Sequence, residues 1–330
     1  MWAMNNLRHF IVALVGLCTL TAAASAQSGP ALLVAPWDAE QSVRLSFDAL
    51  LFGDADVEDT RADLELTWYE AQGGMRFASP RGQAETPRVG APGMYVGFDV
   101  DYLDLDGGMS GELTDQSIGV GTWFGQPIND WQLGVVAGVG YAGENPYAVD
   151  EAWYGHATLI ARKQVGDDAA WMIMLNYDGN RSIFPDIPLP AIAYQKTVSD
   201  RLVYTLGLPR SGVFWRPTDR FFLNANYTVP FTVDAKATYA VTQQVHVYGA
   251  FYNRFEAFAI EGMDDDRLFF SQRRLEGGLE WRVNDNFDLL VAGGYAFGQE
   301  FSTGWHAIDT DNQIEVDDTP YLRAGVSIQW

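Results

Sequence analysis

Four charged residues in one stretch, Arg274, Glu276, Glu280 and Arg282, fall at even positions, while Leu275, Leu279, Trp281 and Val283 fall at odd or intervening ones. A β-strand turns successive side chains to opposite faces, so the four charges share one face and the apolar residues share the other. Opposite charges on such a face pair across neighbouring strands. Backed by a hydrocarbon-facing surface, they are candidates for the lining or the filling of a lumen. Past residue 26 the histidines are His156, His246 and His306; the first two fall mid-strand and the third in an acidic loop. A histidine beside serine and aspartate could serve a membrane-embedded hydrolase. No nucleophile motif accompanies any of the three, and the phosphate-loop, dinucleotide and zinc spacings are absent. Gly119-Val120-Gly121 lies within an alternating pattern and does not form a nucleotide loop. We therefore expect no catalytic residue, no cofactor and no metal site, with a hydrolase as the least favoured function. Acids also cluster in loops: Asp54, Asp56, Glu58 and Asp59; Asp264 to Asp266; and Asp309, Asp311, Glu315, Asp317 and Asp318. None has the spacing of a calcium loop, and they read foremost as solvated charge.

The balance of 21 Lys+Arg against 43 Asp+Glu gives a net charge of −22. Phosphate backbones would be repelled, which excludes nucleic acid as a partner. No stretch approaches 18 consecutive apolar residues, so no transmembrane helix is expected. The mean hydropathy of −0.10 is compatible with a membrane barrel, whose apolar residues are interleaved with polar ones. Glycine, at 33 residues, and aromatics, at 14%, are both abundant.

Met1 to His9 is short and polar, Phe10 to Leu20 is apolar, and Ala24-Ser25-Ala26 has the small-residue spacing of a cleavage site. Residues 1–26 thus read as a secretory signal. The sole cysteine, Cys18, lies inside it. Residues 27–41 are expected to be a periplasmic lead and 42–330 an outer-membrane barrel.

From Ser42 onward the chain alternates with a period of two. Trp131, Leu133, Val135, Ala137, Val139 and Tyr141 oppose Gln132, Gly134, Val136, Gly138 and Gly140; Trp171, Ile173, Leu175 and Tyr177 oppose Met172, Met174 and Asn176. Weaker examples are Val43 to Leu51, Leu64-Leu66-Trp68 and Met94 to Val100, their apolar positions assigned to lipid. Connections from Trp123 onward alternate short and long, as periplasmic turns and outer loops do. Pro209–Gly212 and Tyr227–Val233 are the exceptions, short where an outer loop is due. The expected fold is an all-β transmembrane antiparallel up-and-down barrel of about fourteen strands, within a range of 12–16.

Leu322, Ala324, Val326, Ile328 and Trp330 form an unbroken apolar face ending on an aromatic. This resembles the terminal strand that the barrel assembly machinery recognises, which makes that machinery and outer-membrane lipid the expected partners. Trp131, Trp171, Trp281 and Trp330 fall beside short turns, where indoles form an interfacial girdle. Trp123 and Trp215 fall on less regular faces.

Pro185-Asp186-Ile187-Pro188-Leu189-Pro190-Ala191-Ile192-Ala193-Tyr194, Leu206-Gly207-Leu208-Pro209 and Trp215-Arg216-Pro217-Thr218-Asp219-Arg220 resemble an uncharacterised family of bacterial outer-membrane β-barrels. The resemblance implies a barrel in the envelope and brings no assigned activity. Two functions stay open: a passive, porin-like channel for small solutes, or a structural or surface-interaction barrel with a plugged lumen. Oligomeric state is not legible.

Overall fold

The structure is a computed structural model that describes residues 28–35, 37, 42–57, 63–77, 93–107, 111–124, 128–263 and 266–330. The expected signal, residues 1–26, lies outside them, as do residues 78–92 and the acids Glu58, Asp59, Asp264 and Asp265.

A short helix, α1 (Ala31–Val34), precedes the strands β1 (Val43–Phe52), β2 (Ala55–Asp56), β3 (Asp63–Phe77), β4 (Gly93–Gly107), β5 (Gly111–Trp123) and β6 (Trp131–Glu144). Then follow β7 (Trp153–Val165), β8 (Ala169–Asp178), β9 (Leu189–Ser199), β10 (Leu202–Leu208), β11 (Arg210–Trp215) and β12 (Phe221–Thr228). The last are β13 (Thr232–Ala240), β14 (Val245–Ala259), β15 (Arg267–Asn284), β16 (Phe287–His306), β17 (Asp309–Val316) and β18 (Thr319–Gln329).

Sixteen strands form a closed antiparallel ring that runs from β1 through β3 to β16 and then β18, and β18 returns to β1 from Arg44↔Gln329 to Phe52↔Tyr321. Closure leaves no free edge, which a sheet in hydrocarbon requires. The other two strands continue the wall above the seam: β2 pairs with β3 and β17 with β16, joined by a Val57–Val316 bridge. The segment 299–318, read as a loop from sequence, is therefore mostly a hairpin. Sixteen sits at the top of the expected range. The lower count of fourteen came from taking strands around Ala191–Arg216 as bulged or merged; β10 and β11 there are separate strands of only seven and six residues. The two exceptional connections are real turns, with Pro209 alone between β10 and β11, Val229–Phe231 between β12 and β13, and a cis peptide before each proline.

The start of β1, the end of β18, the end of β3, the start of β4 and the turns that follow β5, β7, β9, β11, β13 and β15 share one rim, called here the near rim; the far rim carries the longer connections after β6, β8 and β14 together with the short ones after β4, β10 and β12. Around the wall, outward side chains form an apolar belt: Ile118, Val139, Leu159, Ile173, Leu206, Leu275, Val291 (63% exposed) and Leu322 (66% exposed). Such a continuous exposed surface would be costly in water, at about 25 cal/mol per Å². It is a hydrocarbon-facing surface, and the barrel is transmembrane. Arginine in place of Val291, mid-belt, should destabilise the barrel by about 2–4 kcal/mol. Arginine in place of Glu65, on the outer face above the belt, should be near neutral. Heat-modifiable migration in detergent gels measures both; equal stability of the two variants would contradict the belt.

One assignment is corrected. Leu64, Leu66 and Trp68 face the interior, with Trp68 only 1% exposed. Along β3 the apolar positions are even up to Trp68 and odd from Tyr69 to Phe77; along β4 they are even from Met94 to Tyr102 and odd at Leu103 and Leu105. The β3–β4 register has no bulge. The backbone alternation is unbroken, and what changes is the surroundings. In the near part of the strands the outer face meets lipid. Beyond the belt the outer face meets water, at Asp63, Glu65, Asp104 and Asp106, while the inner face meets a dry core.

Candidate functional site

The lumen is layered. At the far end, Leu50, Leu64, Leu66, Trp68, Leu103, Leu105, Leu113, Phe258, Phe270 and Phe301 pack into an apolar core. The wall also pinches here: β14 and β6, on opposite sides of the ring, touch through a parallel Ala259↔Gly143 bridge, and Glu144 Oε1 accepts the Glu261 N–H at 2.7 Å. The connection 179–188 reaches over the mouth, where Arg267 donates to the Arg181 carbonyl at 3.0 Å and the Ala307 N–H to the Ser182 carbonyl at 2.8 Å.

At the near end the N-terminal segment enters the barrel. Residues 28–35, assigned by sequence to a lead ahead of the strands, pack inside it. Pro30 has the φ a helix start requires, and Ala31-Leu32-Leu33-Val34 make one turn. Leu32, Leu33 and Trp37 are fully buried against Tyr95, Trp123, Val136 and Ile160. The Trp123 indole N–H donates to the Leu33 carbonyl at 3.3 Å, and the Arg44 guanidinium lies 4.0 Å over the Trp37 ring. Gly119 lets the segment lie flat on β5, because a Cβ there would run into the Ser28 carbonyl. Fully burying three such side chains contributes about 1.5–3 kcal/mol each.

Between plug and core lies a cavity of about 260 Å³. Seven carboxylates from six strands line it: Asp48, Glu70, Asp99, Asp101, Asp115, Asp178 and Glu256, with Arg254 as the cationic side chain among them. Asp101 accepts the Trp68 indole N–H at 3.0 Å, and Asp115 accepts the Tyr154 hydroxyl at 2.7 Å and Asn180 at 2.9 Å. Sequence inspection passed over these acids because each occupies only the polar phase of an ordinary alternating strand. The usable signal was Asp99 and Asp101 opposite Phe98 and Val100, which places two acids inward on one strand.

The four lumen candidates all turn inward, and each has a partner. Glu276, 3% exposed, accepts from Tyr248 at 2.6 Å, Tyr321 at 2.9 Å and Arg323 at 3.3 Å, and Arg323 also meets Asp48 at 3.0 Å. Arg274, 1% exposed, reaches Glu70 at 3.4 Å and lies over Trp68 and Tyr252. Glu280 pairs with Lys236, and Arg282 with Asp288 at 3.5 Å. Glu276 and Arg274 therefore fill one side of the lumen. Elsewhere around the wall, the inner faces of β9–β12 carry the small or neutral Ala191, Ala193, Thr205, Gly212 and Asn224 beside the buried Phe214 and the charged Arg210.

Of the girdle residues, Trp171, Trp281 and Trp330 are exposed on the outer face at the near rim, and Trp131 is half-buried beneath Lys163. Trp215 joins them on the outer face, whereas Trp123 turns inward onto the plug. Tyr147, Trp153, Tyr227 and Tyr295 form an aromatic set nearer the far rim that sequence inspection did not single out. On β18, Leu322 and Trp330 point outward, with Ala324, Val326 and Ile328 on the same face and paired to β1.

His156, Ser117 and Asp178 line the same cavity, but His156 Nε2 is buried without a partner and no hydrogen bond links the three among the described residues. The geometry does not assemble a nucleophile and its base. His246 lies on the inner face near the β14 start, and His306 stacks against Phe184 and Trp305.

No family model matches the chain, and no curated protein matches it. Solved structures resemble it distantly. An outer-membrane channel from Pseudomonas putida F1 is 11% identical over 88% of this chain and 96% of that one, with a TM-score of 0.35. The Pseudomonas putida toluene transporter TodX is 8% identical over 92% of each chain, with a TM-score of 0.37. A deletion mutant of the TodX monoaromatic hydrocarbon channel is 12% identical over 92% of each, with a TM-score of 0.40. Identity and superposition are both too low to transfer a role.

Proposed function

We propose that this barrel is an outer-membrane channel for small polar or cationic solutes, held shut by its own N-terminal segment. The observation that carries it is the carboxylate-lined cavity in mid-lumen, floored by residues 28–30 and bounded by a closed sixteen-stranded wall. A wall of that size encloses more than side chains need fill, and clustered acids within low-dielectric walls concentrate cations. The near rim, where β1 starts, β18 ends and the turns after β5, β7, β9, β11, β13 and β15 lie, faces the periplasm. A plug-weakened variant in planar bilayers under a potassium chloride gradient should show a reversal potential of the sign set by potassium. A chloride-set potential would overturn the cation preference. Silence of both the native protein and a plug-weakened variant would overturn the channel and leave a structural barrel, to which the far-end core and pinch already lend weight.

The outer membrane is proposed on the belt, the closed ring and the aromatic end of β18. Trp330 also ties the seam, exchanging N–H···O bonds with Val43 at 2.9 and 3.0 Å. Replacing Trp330 with alanine keeps these backbone bonds. It should nevertheless lower the amount of barrel in outer-membrane fractions several-fold while leaving folding in detergent intact. Equal amounts would show that the last side chain is not read during assembly.

A further inference from the structure

Toward the far rim the barrel divides in two. The Ala259↔Gly143 bridge closes β14 onto β6, which sets β7 to β13 outside the narrowed far end. The faces of β14 and β15 agree with this. Their odd-numbered residues point outward, as Val247 and Leu275 do. Further along the same faces, however, Ala257 is 3% exposed and Phe269 is fully buried. Phe231 from the β12–β13 turn and Ile183 from the 179–188 connection pack against them. The Phe255 ring lies between Phe231, at 5.4 Å, and Phe269, at 5.3 Å.

The wall left outside is low. β10 and β11 have seven and six residues, whereas crossing hydrocarbon takes about 9–11. The outward faces of β10 to β13 carry no charge among the described residues. The turns at the top are self-sufficient. The Ser211 hydroxyl accepts from the Gly207 N–H and donates to the Gly207 carbonyl, both at 3.0 Å. The Val229 N–H donates to the Pro209 carbonyl at 2.9 Å, the Tyr227 hydroxyl to that of Pro230 at 2.9 Å, and the Asn253 amide to that of Phe231 at 2.6 Å. Water would serve these groups at an exposed rim; hydrocarbon makes each unpaired one costly. The top of β10–β13 therefore lies at membrane depth.

The acidic cavity reaches this low rim. Its lining includes Thr232, where β13 starts, and Phe255, with Tyr154, Asp178 and Asn180 at the far ends of β7 and β8. Along the barrel axis the way is filled, by the apolar core toward the far rim and by α1 and Trp37 toward the near rim. Over the low wall stands the 179–188 connection. Arg267 ties it to β15, donating to the Asn180 side chain at 3.2 Å and to the Arg181 carbonyl at 3.0 Å.

We propose that the gap between the low wall and the 179–188 connection is a side entrance from the far leaflet of the membrane, and that it admits amphipathic amines. The apolar chain crosses Leu208, Pro209 and Phe231, and the ammonium head reaches the cavity. Arg323 answers Asp48, Arg274 answers Glu70, and Arg254 lies 3.7 Å from Asp234. Asp99, Asp101 and Asp115 are left without an ion pair among the described residues, and such a group favours a cation. The charge of the head rests on the reading of the cavity as a site for cations; the entrance rests on the wall.

The test places one thiol at the entrance, Thr232→Cys in a Cys18→Ser chain, where it is the sole cysteine. The barrel is reconstituted in phosphatidylcholine vesicles, with heat-modifiable migration to verify folding; Phe231→Cys serves if the first variant does not fold. Labelling by N-dodecylmaleimide, which resides in the bilayer, is divided by labelling with a neutral maleimide on a short glycol chain, which stays in water. This ratio should exceed several-fold the ratio for Gln243→Cys, in the near-rim turn after β13. Equal ratios would overturn the entrance. Dodecylammonium should slow the labelling at position 232 several-fold, and dodecanol or dodecanoate at the same share of lipid should not. Asp99→Asn with Asp115→Asn should erase that preference and leave the labelling ratio unchanged. Equal slowing by all three additives, beside a reversal potential still set by potassium, would overturn the choice of amines. A potential set by chloride would strike the cation reading of the cavity instead, and with it the ammonium head.

Discussion

A Leu33→Asp barrel should conduct where the native barrel is quiet. Leu33 is fully buried between Gly121, Trp123 and Val136. The substitution removes about 1.5–3 kcal/mol of apolar burial and sets an unpaired carboxylate in its place, a burial that costs about 3 kcal/mol or more. At 1.4 kcal/mol per factor of ten, the population of released plug should rise by about 100-fold or more. Open time in planar bilayers should rise with it. Trp37→Ala should act in the same direction and more weakly, because the Trp37 ring is held by Tyr95 and Arg44 while α1 itself stays intact. The barrel wall is untouched in both variants, so heat-modifiable migration should be unchanged. Unchanged conductance in both variants would show that the N-terminal segment is not the barrier, and would move attention to the pinch between β6 and β14.

The largest loss of stability should follow Glu276→Leu. Glu276 is the acceptor for two tyrosine hydroxyls and one of two partners for Arg323. Leucine fills similar volume and returns none of these bonds. It strands the Tyr248 and Tyr321 hydroxyls and leaves Arg323 with Asp48 alone. Breaking a buried charge network in this way costs about 3–5 kcal/mol. Glu276→Gln retains acceptor capacity and should lose about half as much. The temperature at which the folded band is lost on detergent gels orders the three proteins: native, then glutamine, then leucine. A leucine variant within about 0.5 kcal/mol of native would mean that water, not Glu276, serves these groups.

Much of the wall was legible. Period-two alternation placed β6, β8, β15, β16 and β18 with the correct faces outward, and the rhythm of short and long connections placed both rims. The inward direction of Arg274, Glu276, Glu280 and Arg282 followed from Leu275, Leu279 and Trp281 alone. β10–β13 were harder, because strands of six to nine residues punctuated by Pro209, Pro217 and Pro230 offer too few alternations to count. Leu64, Leu66 and Trp68 were placed on the wrong face for a different reason. Alternation shows that two faces differ, and it does not say which one meets lipid.

By itself, the sequence determined the class of fold, the direction of most strands and the outward belt, because each depends on neighbours two residues apart. Only the tertiary structure decided what fills the middle. The acids of the cavity come from strands as far apart as β1 and β14, the plug lies against β4 to β7, and the far-end core draws on both sides of the seam. Each such contact joins residues far apart in the chain, and ring closure, which no local pattern encodes, is what brings them together.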